Sequence, residues 1–267
     1  MMHVVVFKGG LGNQLFEYSF YQKYLRDGEN VKYFFYGKNT HNGFELPKWF
    51  YIELKEAPKY LQWIYNRLMP LVRRHIRIPY ILDYEDCFDG KLRTLFLDGY
   101  WQDKKYLEGG MIKFAELNIS KKNADVIKLM EENNSVAIHV RRGDYLLPQF
   151  SKIYGNVCTA EYYTKAIEIV NSKMDSPKYF VFSDDIDWVK DNLSLNDAIY
   201  VDWNKGEDSI FDMYLMSKAK VNIIANSSFS YWSAYLNNKK QMVIYPQRWY
   251  NSGYNTPDIF PINWLGI

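Results

Sequence analysis

Two adjacent arginines, Arg141 and Arg142, follow an apolar run at 135–140 in the segment SVAIHVRRGDY. A run this apolar predicts a strand buried on both faces, so the loop after it should lie at the carboxyl edge of a parallel sheet, where α/β proteins bind ligands. Arginines at such an edge commonly meet anions, because a guanidinium pairs with phosphate through parallel hydrogen bonds. The segment therefore predicts an anion site. The alternative is a structural salt bridge in which Asp144 neutralises one of the arginines.

A glycine-rich turn, GGLGNQ at 9–14, stands between a predicted strand and a predicted helix. Gly10 and Gly12 would let backbone N–H groups approach a phosphate or a sugar closely, at the positive end of the helix. The turn does not match the dinucleotide-binding fingerprint, because Leu15 replaces the third glycine and no acidic residue follows at the required distance. A tight turn without a ligand is the alternative, and the amide of Asn13 favours a ligand.

Three acids, Asp184, Asp185 and Asp187, follow a predicted strand at 179–182. Asp185 and Asp187 have the DxD spacing that can hold Mg²⁺ or Mn²⁺ against a diphosphate. Asp187 could equally place negative charge at a helix start, and Asp184 could accept hydrogen bonds from a nucleobase or a ribose. We favour these metal-free interpretations, and no metal site is predicted.

Ser227 and Ser228 stand where a polar turn leads from a predicted strand at 221–224 into a helix. The free N–H groups at a helix start bind anions even without an arginine. Simple helix capping, with Phe229 and the later aromatic residues as core contacts, is the alternative, and the two interpretations are compatible.

Short apolar runs alternate with helical patterns from residue 135 onward, and five strands joined by four helices predict a doubly wound parallel sheet. The first 36 residues have the same pattern, whereas residues 40–115 have no clear period. The predicted fold class is α/β, with an N-terminal domain over 1–130, a C-terminal domain over 131–267 whose last residues could pack back on the first, and a ligand cleft between them. Strands are predicted at 136–140, 179–182, 198–201, 221–224 and 242–245, and helices near Thr159, Asp185, Asp208 and Ser228.

The composition is that of a globular protein, since 48% of the 267 residues are hydrophobic and 24% are charged. A net charge of +2 argues against a protein that coats nucleic acid. With two cysteines, no secretory leader and no long apolar span, the chain is expected to be cytoplasmic. Aromatic residues make up 18% of the chain, which suits a protein that handles ring-shaped ligands.

The segment 59–82 contains no acidic residue, and its five basic residues interleave with apolar ones. Such a basic amphipathic segment could rest on anionic lipid, which would place the protein at the inner face of a bacterial membrane, although a solvated basic face is the commoner outcome of this pattern. Pro70 interrupts the helical pattern.

Seven segments in this order resemble the inverting α-1,2-fucosyltransferases of bacteria and animals, a glycosyltransferase family 11 type. The resemblance implies two facing Rossmann-like domains, the GT-B arrangement, in which the C-terminal half holds the donor GDP-fucose and the N-terminal half faces the acceptor. It implies no cofactor and no metal. The segments are GGLGNQLFEY, GYWQDKKYL, HVRRGDY, VCTAEYYTKAI, FVFSDDIDWVK, DWNKGEDSIFDMYLMS and NIIANSSFSYWSAYL.

The resemblance also implies roles for individual residues. Arg141 would bind the β-phosphate of the donor, and Arg142 would brace the loop, plausibly against Asp144. His139 and one residue of the Ser183, Asp184 and Asp185 group would face guanine. The phosphates would also contact Ser227, Ser228 and the amide of Phe229, while Gly10 and Gly12 would line the donor site.

Inversion requires that the acceptor hydroxyl attack from the face opposite GDP while a base removes its proton. Asp144 is the base that we favour, although an acid paired with an arginine is a poor base. Glu17 is a second candidate. A third possibility has no strong base, with Asn13 orienting the hydroxyl.

The predicted reaction is transfer of L-fucose to the 2-hydroxyl of a terminal β-galactose in an oligosaccharide or lipid-linked glycan. Another linkage or acceptor is the first alternative. A non-catalytic glycan-binding protein is the second, and it is disfavoured because such a protein has no need for phosphate-binding arginines in a crevice.

Overall fold

The computed structural model describes residues 1–37, 41–72, 82–85, 88–108, 110, 112–251, 253 and 255–267. Contacts divide the chain into two compact units, Met1–Ala115 and Glu116–Ile267. Each unit combines helices with a parallel sheet, which confirms the predicted α/β class.

A four-stranded parallel sheet forms the centre of the first unit. Its strands are β1 (Met2–Phe7), β2 (Asn30–Phe35), β4 (Leu82–Tyr84) and β5 (Phe96–Asp98), and β3 (Phe50–Tyr51) pairs separately with β6 (Lys113–Phe114). The sheet order is β2-β1-β5-β4, so β1 and β5 are neighbours whose carboxyl ends meet at one edge. The helices are α1 (Leu11–Arg26), α2 (Leu46–Trp49) and α3 (Lys59–Val72).

One apolar cluster of the first unit lies between its sheet and α3. Val4 and Val6 of β1 are fully buried and belong to this cluster with Leu61 and Tyr65 of α3. The strand–turn–helix–strand order of the first 36 residues is as predicted, because a β-branched run ends at a glycine turn and α1 begins directly after it.

A six-stranded parallel sheet forms the centre of the second unit, and it contains all five predicted strands. The sixth strand, at the edge of the sheet, comes from the last residues of the chain. The strand order of the sheet is β12-β11-β10-β7-β8-β9. The strands are β7 (Asn134–Val140), β8 (Pro177–Ser183), β9 (Ile199–Val201), β10 (Val221–Ile223), β11 (Met242–Tyr245) and β12 (Leu265–Gly266).

The four helices predicted in the second half begin within a residue of the predicted positions, whereas α4 and α5 were not predicted. Thr159 caps the helix that follows it by accepting a hydrogen bond from the amide of Tyr162. Asp185 caps the next predicted helix in the same way, by accepting a hydrogen bond from the amide of Trp188. Asp208 precedes its helix without a side-chain cap. The helices are α4 (Lys121–Glu132), α5 (Pro148–Tyr154), α6 (Ala160–Lys173), α7 (Ile186–Asn192), α8 (Ser209–Met216) and α9 (Ser228–Tyr235).

The boundary between the units lies at 115/116, earlier than the predicted 130/131. Helix α4 belongs to the second unit, because its Val126 and Met130 are buried in one cluster with Phe180 of β8. The polar stretch that suggested the boundary is the end of α4 and the start of β7. The last residues extend the second sheet as β12, where Ile267 donates its amide to Tyr245.

Within the described residues, no helix is both long enough and apolar enough to cross a membrane.

Candidate active site

Polar residues follow three neighbouring strands of the second sheet, β10, β7 and β8, at their shared carboxyl edge. The arginine segment leaves β7, the acidic segment leaves β8, and the serine turn leaves β10. Val140 is paired with Ser183 in the sheet, so the residues that follow each of them face one another. The structure therefore brings together the residues predicted for the donor site in this half of the chain: His139, Arg141, Arg142, Asp144, Ser183, Asp184, Asp185, Ser227, Ser228 and Phe229.

Arg141 lies between two carboxylates. Its Nη2 is 2.8 Å from Asp144 Oδ1 and its Nη1 is 2.9 Å from Asp184 Oδ2. The Asp144 oxygen is buried and has no aligned hydrogen-bond donor among the described residues, so this short contact is an ion pair rather than a directed hydrogen bond. The guanidinium side chain is still about a third exposed. It is thus charged, held in place and accessible, as an anion-binding arginine must be.

Arg142 pairs with Asp185, which corrects the prediction that it braces the loop against Asp144. Its Nε donates to Asp185 Oδ2 at 2.9 Å, and its guanidinium lies 4.1 Å from the centre of the Trp188 ring. The hydrogen bond from Arg142 lowers the pKa of the Asp185 carboxyl. Asp144 instead begins a short 3₁₀ turn three residues after Arg141, which places it beside that arginine. Arg142 is thus tied to the start of α7, whereas Arg141 contacts Asp144 and Asp184.

Gly143 allows the two loops to approach each other, a role that sequence reasoning missed. A Cβ atom on this residue would lie 2.6 Å from Asp184 Oδ2, well inside contact distance. The same carboxylate accepts the amide of Arg142 at 2.9 Å through its other oxygen. A glycine directly between the arginines and Asp144 is the sequence signal that could have indicated this close approach.

His139 is buried near the end of β7 and is neutral at ordinary pH. Burial, and then the charge of Arg141, lower the pKa of its imidazole to about 4. Its Nδ1 is buried and has no hydrogen-bond partner among the described residues. The ring centre lies 5.9 Å from that of Phe229 at the start of α9. A buried ring nitrogen without a partner is costly, so a ligand that supplies the missing hydrogen bond would stabilise this arrangement.

The start of α9 offers backbone N–H groups without a side-chain cap. Ser227 occupies the N-cap position, but its hydroxyl accepts no capping hydrogen bond from the helix. Capping alone therefore does not account for this serine. Ser228 and Phe229 are the first two residues of α9, so their amides belong to the set that lacks acceptors within the helix.

Two of the acids that follow β8, Asp185 and Asp187, stabilise the start of α7. Asp185 Oδ1 accepts the amide of Trp188 at 3.2 Å, and the Asp185 amide donates to Ser183 Oγ at 2.9 Å. Asp187 lies in the first turn, where its charge favours the helix dipole. In the part of the chain that the structure describes, no group of three or more His, Cys, Asp or Glu side chains is placed to hold a metal ion.

Both arginines border a cavity of about 220 Å³. Tyr145 and Trp188 line it, and so does Cys158. Burial raises the pKa of the Cys158 thiol to about 12, so it remains protonated and is a poor nucleophile. The other lining residues are Leu146, Tyr154, Gly155, Asn156, Thr159, Ala160 and Asn226.

The predicted glycine turn belongs to the first unit. Gly10 precedes α1 as its N-cap residue, and Gly12 and Asn13 lie in its first turn. Gly9 has φ of 74°, and a Cβ there would lie 3.1 Å from Asn13 Nδ2, so this position requires glycine. Asn13 Oδ1 accepts a hydrogen bond from Gln102 Nε2 at 3.2 Å.

Glu17 is fully buried in the first unit. Its two carboxyl oxygens receive the amide of Lys8 at 3.1 and 3.0 Å, and burial raises the pKa of the carboxyl well above its usual range. A group without solvent access cannot take a proton from an incoming hydroxyl. Glu17 therefore holds the end of β1, and we remove it from the candidate bases.

Sequence comparison identifies the family. The family description "Glycosyl transferase family 11" matches residues 83–267, which is more than half of the chain. The α-1,2-colitosyltransferase of Escherichia coli is 32% identical, over 100% of this chain and 99% of that protein. The O-antigen biosynthesis glycosyltransferase WbnK of Escherichia coli is 29% identical, over 97% of this chain and 98% of that protein. A galactoside α-(1,2)-fucosyltransferase 1 of Aotus azarae is 28% identical over a shorter region, 38% of this chain and 28% of that one.

Structure comparison supports the same fold class. The fucosyltransferase NodZ from Bradyrhizobium has a TM-score of 0.53 and 14% sequence identity, with 88% of this chain and 93% of that chain covered. At this level of identity the likeness concerns the fold alone. Together, the family match and the full-length relatives show that this chain belongs to glycosyltransferase family 11 and is a glycosyltransferase.

Proposed function

We propose that this protein transfers L-fucose from GDP-fucose to the 2-hydroxyl of a terminal β-galactose, with inversion at the fucose carbon. The observation that carries the proposal is Arg141, a charged and accessible guanidinium at the carboxyl edge of the second sheet. The α-1,2-linkage and the galactoside acceptor are suggested by relatives named for those activities.

Arg141 would stabilise the charge that leaves with the nucleotide. The bond between fucose and the β-phosphate breaks with its electrons on the phosphate, which adds a negative charge there. A guanidinium close to that oxygen, together with the free amides at the start of α9, is a donor set that fits this charge. Removal of one such donor typically lowers the rate by about 10² to 10³.

His139 and Asp184 would recognise the nucleobase. Guanine presents an N1–H and a 2-amino group as donors. A neutral imidazole can accept one hydrogen bond through its Nδ1, and the pKa of about 4 keeps His139 neutral across the physiological range. Asp184 acts electrostatically on this histidine and would offer its carboxylate oxygens to the nucleobase, although both already contact arginine groups.

Asp144 is the base that we propose for the acceptor hydroxyl. Arg141 contacts the Asp144 carboxylate before the donor binds. When the arginine turns to the diphosphate, Asp144 is released to face the acceptor hydroxyl. The hydroxyl oxygen then bonds to the fucose carbon, and its proton passes to Asp144. The bond between that carbon and the β-phosphate oxygen breaks, and GDP leaves with the electron pair. Asn13 as the group that orients the hydroxyl is the alternative.

We propose that the reaction needs no metal and no other cofactor. Asp185, one member of the predicted DxD pair, already binds Arg142 and caps α7. EDTA should therefore leave turnover intact. Inactivation by EDTA that Mg²⁺ reverses would return Asp185 and Asp187 to consideration as ligands.

Colitose is the one specific alternative to fucose as the donor sugar. Colitose is fucose without its 3-hydroxyl, and a relative that covers the full chain is a colitosyltransferase. A donor that carries colitose would use the same diphosphate-binding groups, so the two donors differ only in contacts to that one hydroxyl. A glycan-binding protein without activity is disfavoured by the family match.

We further propose that α3 contacts anionic lipid. Tyr60 and Trp63 on its outer face are each 60% exposed, and the guanidinium of Arg67 lies 4.9 Å from the Trp63 ring. Exposed aromatic and basic residues on one helical face are typical of interfacial helices. The predicted arginines Arg73, Arg74 and Arg77 lie outside the described residues.

Vesicle flotation tests this contact. The protein should float with anionic vesicles when no acceptor is present, and Trp63→Ala should reduce the floating fraction. Failure to float with anionic vesicles would overturn it.

The reaction is tested by incubating the protein with GDP-fucose and a terminal β-galactoside, followed by linkage analysis of the product. We expect an α-1,2-fucosylated product, and none from the matched 2-deoxygalactoside. A parallel incubation with GDP-colitose tests the rival donor. Fucose on another hydroxyl, or transfer of colitose only, would contradict the proposal.

A further inference from the structure

A strained turn follows β5 at the carboxyl edge of the first sheet. The turn is GYWQ at 99–102, and its Trp101 has a φ of 55°. A bulky side chain rarely adopts this left-handed backbone, and such strain persists only where the surroundings enforce it. Strained residues cluster at binding sites, so the groups that this turn presents need an explanation.

Two contacts hold the turn. The carboxylate of Glu85 accepts the amides of Tyr100 at 2.8 Å and Gln102 at 2.9 Å, one on each oxygen. Gly99 permits this approach, since a Cβ there would lie 2.6 Å from the Glu85 Cβ. Trp101 is fully buried and its ring stacks on Phe20 at 3.9 Å. The turn is therefore fixed from both sides.

The fixed turn sets the orientation of Asn13 on the neighbouring element. Gln102 Nε2 donates to Asn13 Oδ1 at 3.2 Å, which leaves the Asn13 NH₂ group beside Gly9. The Tyr100 ring lies against the same glycine, 3.3 Å from the position of a Cβ atom. Lys8 Nζ lies 5.0 Å from the centre of that ring. An amide, a phenol and an ammonium thus gather where β1 and β5 end.

The charges of this cluster suit a neutral ligand. Asp98 neutralises Lys8 through a short ion pair and also accepts the hydroxyl of Tyr65 at 2.6 Å. Glu85 adds a negative charge nearby. Among the described side chains of this cluster, the cation Lys8 is already paired with Asp98. The cluster therefore suits the hydroxyls of a sugar, which could accept hydrogen bonds from the amide and the ammonium, better than a diphosphate. Tyr100, at 36% exposure, adds apolar surface of the kind that sugar rings contact.

We propose that Lys8, Asn13 and Tyr100 form the subsite for the acceptor sugar. Glu85 and Gln102 are positioning residues, since they act on the ligand through the turn and through Asn13. This inference rests on the proposed transfer to a glycan.

Steady-state kinetics with varied acceptor tests the subsite. Tyr100→Ala should raise the acceptor KM at least tenfold, and this effect should exceed any change in GDP affinity measured by calorimetry. Tyr51→Ala is the matched control, because Tyr51 is a 62% exposed tyrosine of the same unit outside this cluster. An unchanged acceptor KM, or a loss of GDP affinity in place of the KM effect, would overturn the proposal.

Variants of Glu85 separate positioning from folding. Glu85→Ala removes both acceptors of the turn and should raise the acceptor KM with little change in kcat, whereas Glu85→Gln keeps one acceptor oxygen and should restore part of the affinity. Equal effects of the two variants on KM and kcat would contradict a positioning role.

The two proposals can fail separately. If the wild-type protein neither binds GDP nor turns over GDP-fucose, the proposed function fails. Saturation-transfer NMR with a free β-galactoside still tests the subsite: contact with wild type that Tyr100→Ala abolishes supports it, and contact that this variant retains overturns it.

Discussion

Asp184 at the end of β8 lies 2.9 Å from Arg141 at the end of β7, so a carboxylate holds the arginine that we assign to the departing phosphate. A second carboxylate, Asp144, contacts the other Nη of the same guanidinium. The arginine is therefore oriented before the donor arrives, at the cost of contacts that the diphosphate must replace. This arrangement explains how one residue can be both fixed in place and available, and it leads to four predictions.

Arg141→Ala should lower kcat by about 10² to 10³, because the charge on the departing phosphate loses its main donor. Arg141→Lys should recover only part of this loss, since an ammonium lacks the planar fork that binds two oxygens. Turnover with saturating GDP-fucose measures both effects. Arg93→Ala, which removes an exposed arginine of the first unit, is the control and should retain full turnover. Loss of less than tenfold in Arg141→Ala would argue against the assignment.

Arg142→Ala should mainly lower stability. The variant loses one partly exposed ion pair with Asp185 and one contact with the Trp188 ring, together about 1 kcal/mol. We expect Tm to fall by about 2 to 4 °C and kcat to stay within tenfold of wild type. Thermal unfolding and turnover on the same sample give both values. A collapse of kcat without a change in Tm would assign the chemistry to Arg142 instead.

Gly143→Ala should weaken donor binding, because the added methyl group would displace the Asp184 carboxylate from Arg141 and from the Arg142 amide. GDP affinity in calorimetry is the measurement, and a loss of about tenfold corresponds to the removal of one charged contact. Asp184→Ala provides the matched background, in which the methyl group meets no carboxylate and should have little further effect. If the losses of GDP affinity from Gly143→Ala and Asp184→Ala add up in the variant that carries both substitutions, the two residues act independently and the explanation is wrong.

His139 should stay neutral well below pH 6. Its pKa of about 4 in the folded protein is below the ordinary 6.5, so the unfolded chain binds a proton in this range that the folded protein does not. Proton uptake by this histidine in the unfolded chain therefore lowers the free energy of unfolding as the pH falls from about 6.5 to 4. The total decrease is about 3 kcal/mol. The imidazole NMR shifts report the titration. A midpoint near 6.5 would contradict this burial, and His139→Asn should remove its share of the pH dependence.

Local patterns predicted much of this fold. The strands and most helix starts of the second half follow from apolar runs and from N-cap residues such as Thr159, whose capping role depends on a neighbour three residues away. The pairing of Arg142 with Asp185 could not be predicted in this way. It depends on the register of β7 against β8, which places Val140 opposite Ser183 and thus decides which acid meets which arginine.

The domain boundary was missed for a related reason. A polar stretch at 131–134 suggested a linker, but the apolar face of α4 is buried against the second sheet, and only that tertiary contact assigns the helix to the second unit. The strained turn at Trp101 was equally invisible, because no local preference indicates a left-handed tryptophan.

If the Arg141 guanidinium takes up the charge of the β-phosphate, a crystal structure of the protein with GDP should show the contact. We expect the guanidinium to leave Asp144 and to lie within about 3 Å of a β-phosphate oxygen. A guanidinium that remains on Asp144 and Asp184, with the diphosphate bound elsewhere, would contradict this role of Arg141.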